Sequence, residues 1–122
     1  MTAKQFAERA ARLLHDRKAE DIKVLDLRKL GAVSDFFVVA SGNSTTHVRA
    51  LADHVELEMK KAGQVPWHVE GYEAERWVLL DYVNVVVHIF HPQTREFYLL
   101  ERLWGDAEKL TIDFLVSQRS HK

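Results

Sequence analysis

The sequence of 122 residues has no cysteine, two prolines, five glycines and no excess of either charge, with seventeen Lys plus Arg against eighteen Asp plus Glu. Without cysteine there is no disulfide framework, thiolate nucleophile, iron–sulfur cluster or Cys-type zinc site. A net charge of −1 removes the broad basic footprint of a general nucleic-acid binder. Uncharged apolar runs such as Phe36 to Ala40 and Val85 to Val87 fall far short of the roughly 20 residues that span a bilayer. The first residues are polar and amphipathic, with no apolar stretch of a secretory signal. Repeats, low-complexity tracts and Pro/Ser-rich linkers are also missing. What remains is an expected cytoplasmic domain over residues 1–116, followed by a loose tail over 117–122.

A chain of this length buries roughly two thirds of its unfolded surface, enough for one core. Thr2 and Gln5 have capping-box spacing, and Phe6, Ala10, Leu13 and Leu14 then share one helical face. Ile22 to Leu27 reads as a strand, Leu30-Gly31-Ala32 as a turn. Asp35 to Ala40 is apolar on both faces, as in a central strand covered by helices on each side. After Ser41-Gly42-Asn43-Ser44, the residues Val48, Leu51, Ala52, Val55 and Met59 mark a long helix that stops at Gly63. Trp67 to Val69, Trp77 to Leu80 and Val85 to Phe90 read as strands, the last two joined in a hairpin through Asp81-Tyr82-Val83-Asn84. Pro92 suits the start of another helix with Phe97, Leu100, Leu103 and Trp104 on its stripe, and Asp106 to Val116 would add helical turns. The order predicts an α/β fold, a mixed sheet flanked by helices.

Catalytic and metal signals are thin. The turn at Ser41-Gly42 sits between a buried strand and a helix start, a place where free backbone N–H groups can hold an anion. Ser44 or Thr45 is equally a helix cap. Neither a Walker loop nor a dinucleotide fingerprint follows. The turn resembles that of nucleotidyltransferases, but two bridging metal ions need neighbouring carboxylates. Asp53 lies along the helix and Asp81 stands among apolar residues. His47 and His54 are two helical turns apart, and His88 and His91 fall on opposite sides of extended chain, so none pairs to chelate an ion. No metal, cofactor or enzymatic activity is expected. His88 interrupts the Val85-Val86-Val87 run and needs a partner if buried.

The positive signal is a surface. Between Trp67 and His91, Glu70, Glu73, Glu75 and Asp81 face Arg76 as the one cation. The same stretch carries Trp67, Tyr72, Trp77, Tyr82 and Phe90, with Phe97, Tyr98 and Trp104 soon after. Aromatic anchors on an acidic background suit a docking site for a basic protein. Alternatively, the rings form the core between sheet and last helix.

Several stretches together carry a family resemblance. They are Asp21-Ile22-x-x-Leu25-Asp26-Leu27, Ser34-Asp35-Phe36-Phe37-Val38, Ser41-Gly42-Asn43-Ser44 with His47-Val48, and Ala52-Asp53-His54-Val55. The second half adds Val69-Glu70-Gly71, Trp77-Val78-Leu79-Leu80-Asp81-Tyr82, Val85-Val86-Val87-His88-Ile89-Phe90 and Arg95-x-Phe97-Tyr98-x-Leu100-Glu101-x-Leu103-Trp104. In order and spacing, up to about Trp104, the chain resembles the Iojap-related family of ribosomal silencing factors. The resemblance implies a nucleotidyltransferase-like fold without its active site. It implies binding to the large ribosomal subunit through that subunit's ribosomal protein fourteen, which blocks joining of the small subunit and dampens translation under nutrient limitation. Carried onto this chain, the partner surface would comprise Glu70, Trp77, Asp81, Tyr82, His88 and Phe90, with Tyr98, Leu100 and Glu101 from the following helix. A nucleotide-binding protein or residual nucleotidyltransferase using Ser41-Gly42 is the competing expectation. A minor ribosomal RNA contact by Arg9, Arg12, Lys18, Arg28 and Lys29, and a homodimer of the free protein, complete the expected partners. One departure stands out: Val83-Asn84 occupies the place where the family commonly has Gly-Asp, and valine resists positive φ.

Overall fold

The computed structural model describes residues 1–71, 76–92, 105 and 107–110. Helix α1, Ala3–Asp16, begins as its sequence requires. The Thr2 hydroxyl accepts the Gln5 N–H at 3.1 Å, and Gln5 Oε1 accepts the Thr2 N–H at 2.8 Å. Its buried stripe alternates large and small, with Phe6, Leu13 and Leu14 beside Ala7, Ala10 and Ala11, so the helix axis lies close to the sheet. Helix α2, Thr45–Lys61, is capped by Ser44, whose hydroxyl accepts the His47 N–H at 3.0 Å. It closes at Gly63, whose φ of +81° is one that glycine adopts freely.

Six strands form one sheet: β1 Glu20–Asp26, β2 Phe36–Ser41, β3 His68–Glu70, β4 Trp77–Asp81, β5 Val85–Phe90 and β6 Glu108–Lys109. Their spatial order is β3-β4-β5-β2-β1-β6. The central pair β2/β5 is parallel, with Phe36 opposite Val85 and Ser41 opposite Phe90; every other pair is antiparallel. The mixed sheet therefore agrees with the expected class. Two details differ. Where helical turns were expected after Asp106, Glu108 and Lys109 form a short strand against Asp26 and Leu25. And both described helices pack on the same face of the sheet, α1 over β1, β2 and β5 and α2 over β4 and β5. The helix expected after Pro92 and the tail over 117–122 lie outside the described residues.

Strand alternation divides the apolar residues into two cores. Val24, Phe36, Val38, Ala40, Val78, Leu80, Val87 and Ile89 join the helix stripes in the larger one. Leu25, Leu27, Val39 and Phe90 gather on the opposite face with Ala107, Phe37 and Trp77 against them. At the end of β1, buried Asp26 accepts from the Arg28 backbone and guanidinium at 2.7 to 3.0 Å. The side-chain hydrogen bond from Arg28 holds the Asp26 carboxyl below its ordinary value of 3.8. Because the folded state favours the carboxylate, this contribution is complete at neutral pH and is lost as pH falls through the folded pKa. Asp26→Asn is expected to lower stability at pH 7, and the gap from wild type should close below about pH 4. Urea titrations at stepped pH check it; a gap that persists unchanged to pH 2.5 contradicts it.

At the β4–β5 turn valine takes the positive φ that it resists. Val83 has φ of +75°. The Asn84 N–H bonds the Tyr82 carbonyl at 3.0 Å, a three-residue turn of the rare, strained hand. Asp81 Oδ1 accepts the Val83 N–H at 2.8 Å, and the Ser34 hydroxyl donates to the Val83 carbonyl at 2.9 Å, which together hold the conformation. Val83→Gly is expected to stabilise the protein by about 1 kcal/mol, since it removes a β-branched side chain from left-handed backbone. Thermal unfolding should show a midpoint a few degrees higher; a lower midpoint refutes the strain.

Candidate functional site

Cross-strand pairing decides which side chains share the face away from the helices. Trp77 lies opposite Phe90, Leu79 opposite His88 and Asp81 opposite Val86. Phe37, Val39 and Ser41 continue these rows across β5, and His68 and Glu70 extend them at the β3 edge. Glu70, Trp77, Asp81, His88 and Phe90 thus come together on one surface. Tyr82 does not. One position beyond Asp81, it turns to the helix side, where its ring meets Phe6 at 4.6 Å between centroids. Burial raises its phenol above the ordinary range, and among the described residues the buried hydroxyl has no hydrogen-bond partner. Tyr98, Leu100 and Glu101 lie outside the described residues.

The centre of the face is a ring cluster. Trp77, half-buried, stacks on Phe90 at 5.1 Å and 22°, and its indole Nε1–H donates to His88 Nδ1 at 3.1 Å. His88 lies near-parallel to Phe90 at 6.1 Å and meets Phe37 at 4.5 Å. Since Nδ1 accepts, the His88 proton resides on Nε2, which is buried without a partner among the described residues. Burial pushes the His88 pKa down to about 3, so the ring stays neutral at physiological pH. His88 and Phe90 are 3% and 0% exposed, which places them beneath the surface. Trp77, Asp81 and Glu70 are the members that reach solvent. Asp81 also anchors the hairpin turn, while Glu70 and His68 approach at 2.8 Å in the open. With Nδ1 taken by Trp77 and the ring 3% exposed, His88 is out of a substrate's reach. The arrangement suits recognition: an apolar platform edged by carboxylates.

The sequence reading missed Phe37, Val39 and Leu79, which extend the platform. For Leu79 the signal was parity with Trp77 and Asp81, whereas Phe37 and Val39 join through the register of β2 with β5.

The competing turn is occupied by its own chain. Gly42 N–H bonds the Phe90 carbonyl at 2.9 Å, and Asn43 N–H bonds His47 Nδ1 at 2.9 Å. His47 N–H is taken by Ser44, and His47 Nε2 donates to the Arg17 carbonyl at 2.9 Å. Three N–H groups of the turn, those of Gly42, Asn43 and His47, are thus engaged within the chain. Glycine is required here for contact: a Cβ on Gly42 would stand 2.8 Å from the Val48 nitrogen. Among the described residues no cluster of three or more His, Cys, Asp or Glu side chains could hold a metal ion. Of the basic residues considered for RNA, Arg28 is committed to Asp26 and Lys29 reaches Glu108 at 3.4 Å. No described helix is long and apolar enough to cross a membrane.

Comparison with known proteins adds a second line. Residues 1–122 match the family model described as ribosomal silencing factor during starvation. The chain is 39% identical over 118 residues to the ribosomal silencing factor RsfS of Bacillus subtilis, covering 97% of this chain and all of that one. It is 36% identical over 95 residues to the mouse protein named mitochondrial assembly of ribosomal large subunit protein 1, covering 75% of this chain and 42% of that one. A crystal structure from Chromobacterium violaceum superposes with a TM-score of 0.81 at 38% identity, over 92% of each chain.

Proposed function

Since the chain belongs to the ribosomal silencing factor family, we propose that it is a cytoplasmic translational repressor that binds the large ribosomal subunit through ribosomal protein fourteen of that subunit. The bound domain sterically blocks joining of the small subunit and dampens translation under nutrient limitation. The role is regulatory, and no catalytic step enters it. The observation that carries this reading is the face of Trp77, Asp81 and Glu70 over the buried rings of His88 and Phe90. Trp77 offers an apolar anchor, and the carboxylates of Glu70, Asp81 and Glu101 meet Lys or Arg of a basic ribosomal protein. Such rim charges steer encounter and make it salt-dependent. Tyr98 and Leu100 extend the apolar contact. Arg9, Arg12 and Lys18 provide a minor RNA contact, and the free protein forms a homodimer.

Subunit joining tests the reading. Large subunits preincubated with the protein should join small subunits more slowly and less completely, in a dose-dependent way, by light scattering. Unaltered joining at saturating protein sinks it. If nucleoside triphosphate with Mg²⁺ stabilises the protein by a few kcal/mol while subunits fail to bind it, the nucleotide reading through Ser41-Gly42 replaces it.

A further inference from the structure

Trp77 carries one hydrogen-bond donor, and tryptophans at protein interfaces usually offer that N–H to a partner's acceptor. Here it is spent within the chain, on His88 Nδ1 at 3.1 Å. The acceptor is itself immobilised: His88 is 3% exposed and packed among Phe37, Phe90 and Trp77 at 4.5 to 6.1 Å. The indole is therefore pinned by a hydrogen bond at one atom and by the Phe90 stack across its plane.

We propose that His88 is a positioning and specificity residue of the docking face: by accepting the Trp77 indole N–H it fixes the ring against Phe90 and turns only carbon surface outward. The partner's socket for Trp77 is then apolar, has no hydrogen-bond acceptor at its floor, and is rimmed by cations that meet Glu70 and Asp81. This rests on the docking reading of the same face. Its consequence is a coupling. When His88 loses its acceptor, the indole N–H is left unpaired against an apolar socket, and binding weakens by about tenfold. Without an indole N–H, His88 has nothing to satisfy.

A double-mutant cycle on binding to purified large subunits tests it. His88→Leu should weaken binding about tenfold, and His88→Asn, which keeps an acceptor near the Nδ1 position, should recover most of that loss. In a Trp77→Phe background His88→Leu should add less than about twofold. An equal loss in both backgrounds assigns His88 a merely structural role and overturns the proposal. Indole N–H exchange in the free wild-type protein gives a variant-independent reading. The Trp77 proton should exchange far more slowly than that of Trp67, which is 76% exposed; equal rates overturn the proposal. If Trp77→Ala binds subunits as wild type does, the docking reading itself falls. If Trp77→Ala fails to bind while His88→Leu binds normally, only the role of His88 falls.

Discussion

Trp77→Ala is expected to lower affinity for the large ribosomal subunit by roughly 30-fold or more, with the protein still folded at 25 °C. Tryptophan is the residue type most often found to dominate an interface, because it buries a large rigid surface at small entropic cost. Here the ring is half-buried before any partner arrives and already stacked on Phe90. Little freedom remains to be lost on docking. Truncation also removes the cover over Phe90 and His88, so a fall of several degrees in the thermal midpoint accompanies the loss of binding. Glu70→Lys separates charge from ring. Glu70 is exposed and its hydrogen bond with His68 is local, so reversal should leave stability within about 0.5 kcal/mol while slowing association, most strongly at low salt. Asp81→Lys is the less selective probe, since Asp81 also holds the left-handed Val83 turn. Co-sedimentation and association kinetics with purified subunits provide the measurements. Binding by Trp77→Ala within threefold of wild type removes Trp77 from the interface.

Gly71→Ala is expected to cost about 3 kcal/mol of folding stability, seen as a fall of about 2 M in the urea midpoint. Gly71 has φ of +90°, and a Cβ there would overlap the backbone carbonyl of Trp77. Neither partner can yield cheaply. Gly71 follows directly on Glu70 of β3, and Trp77 opens β4, so relief of the clash must separate two paired strands at the edge that carries Glu70 and Trp77. A midpoint within 0.3 M of wild type would mean that the chain between β3 and β4 absorbs the methyl without strain.

Much of this architecture is legible from residue order. The capping box at Thr2, the stop at Gly63, the apolar-both-sides strand after Asp35 and the hairpin through Asp81 to Asn84 all follow from local rules. The short strand at Glu108-Lys109 does not, because two residues carry no periodicity and only β1 selects their conformation. At the candidate site, composition gathered the aromatic and acidic residues but parity sorts them. Tyr82 follows Asp81 by one position and so belongs to the other face, a distinction that alternation contains and an aromatic count conceals. Depth is a separate matter. Nothing in the Val85 to Phe90 run reveals that His88 lies under Trp77, since that depends on the register between β4 and β5.

The parallel pairing of β2 with β5 sets a schedule for synthesis. Residues clamped beside this junction, such as Ser34 and Val83, stand 49 apart in the chain. At roughly 5–20 residues per second, β2 leaves the translating ribosome some 2–10 s before its partner strand exists. During that interval an apolar strand waits with one edge open, the condition under which nascent chains most need a chaperone. A chain built this way acquires the face proposed for docking only when most of it has been made.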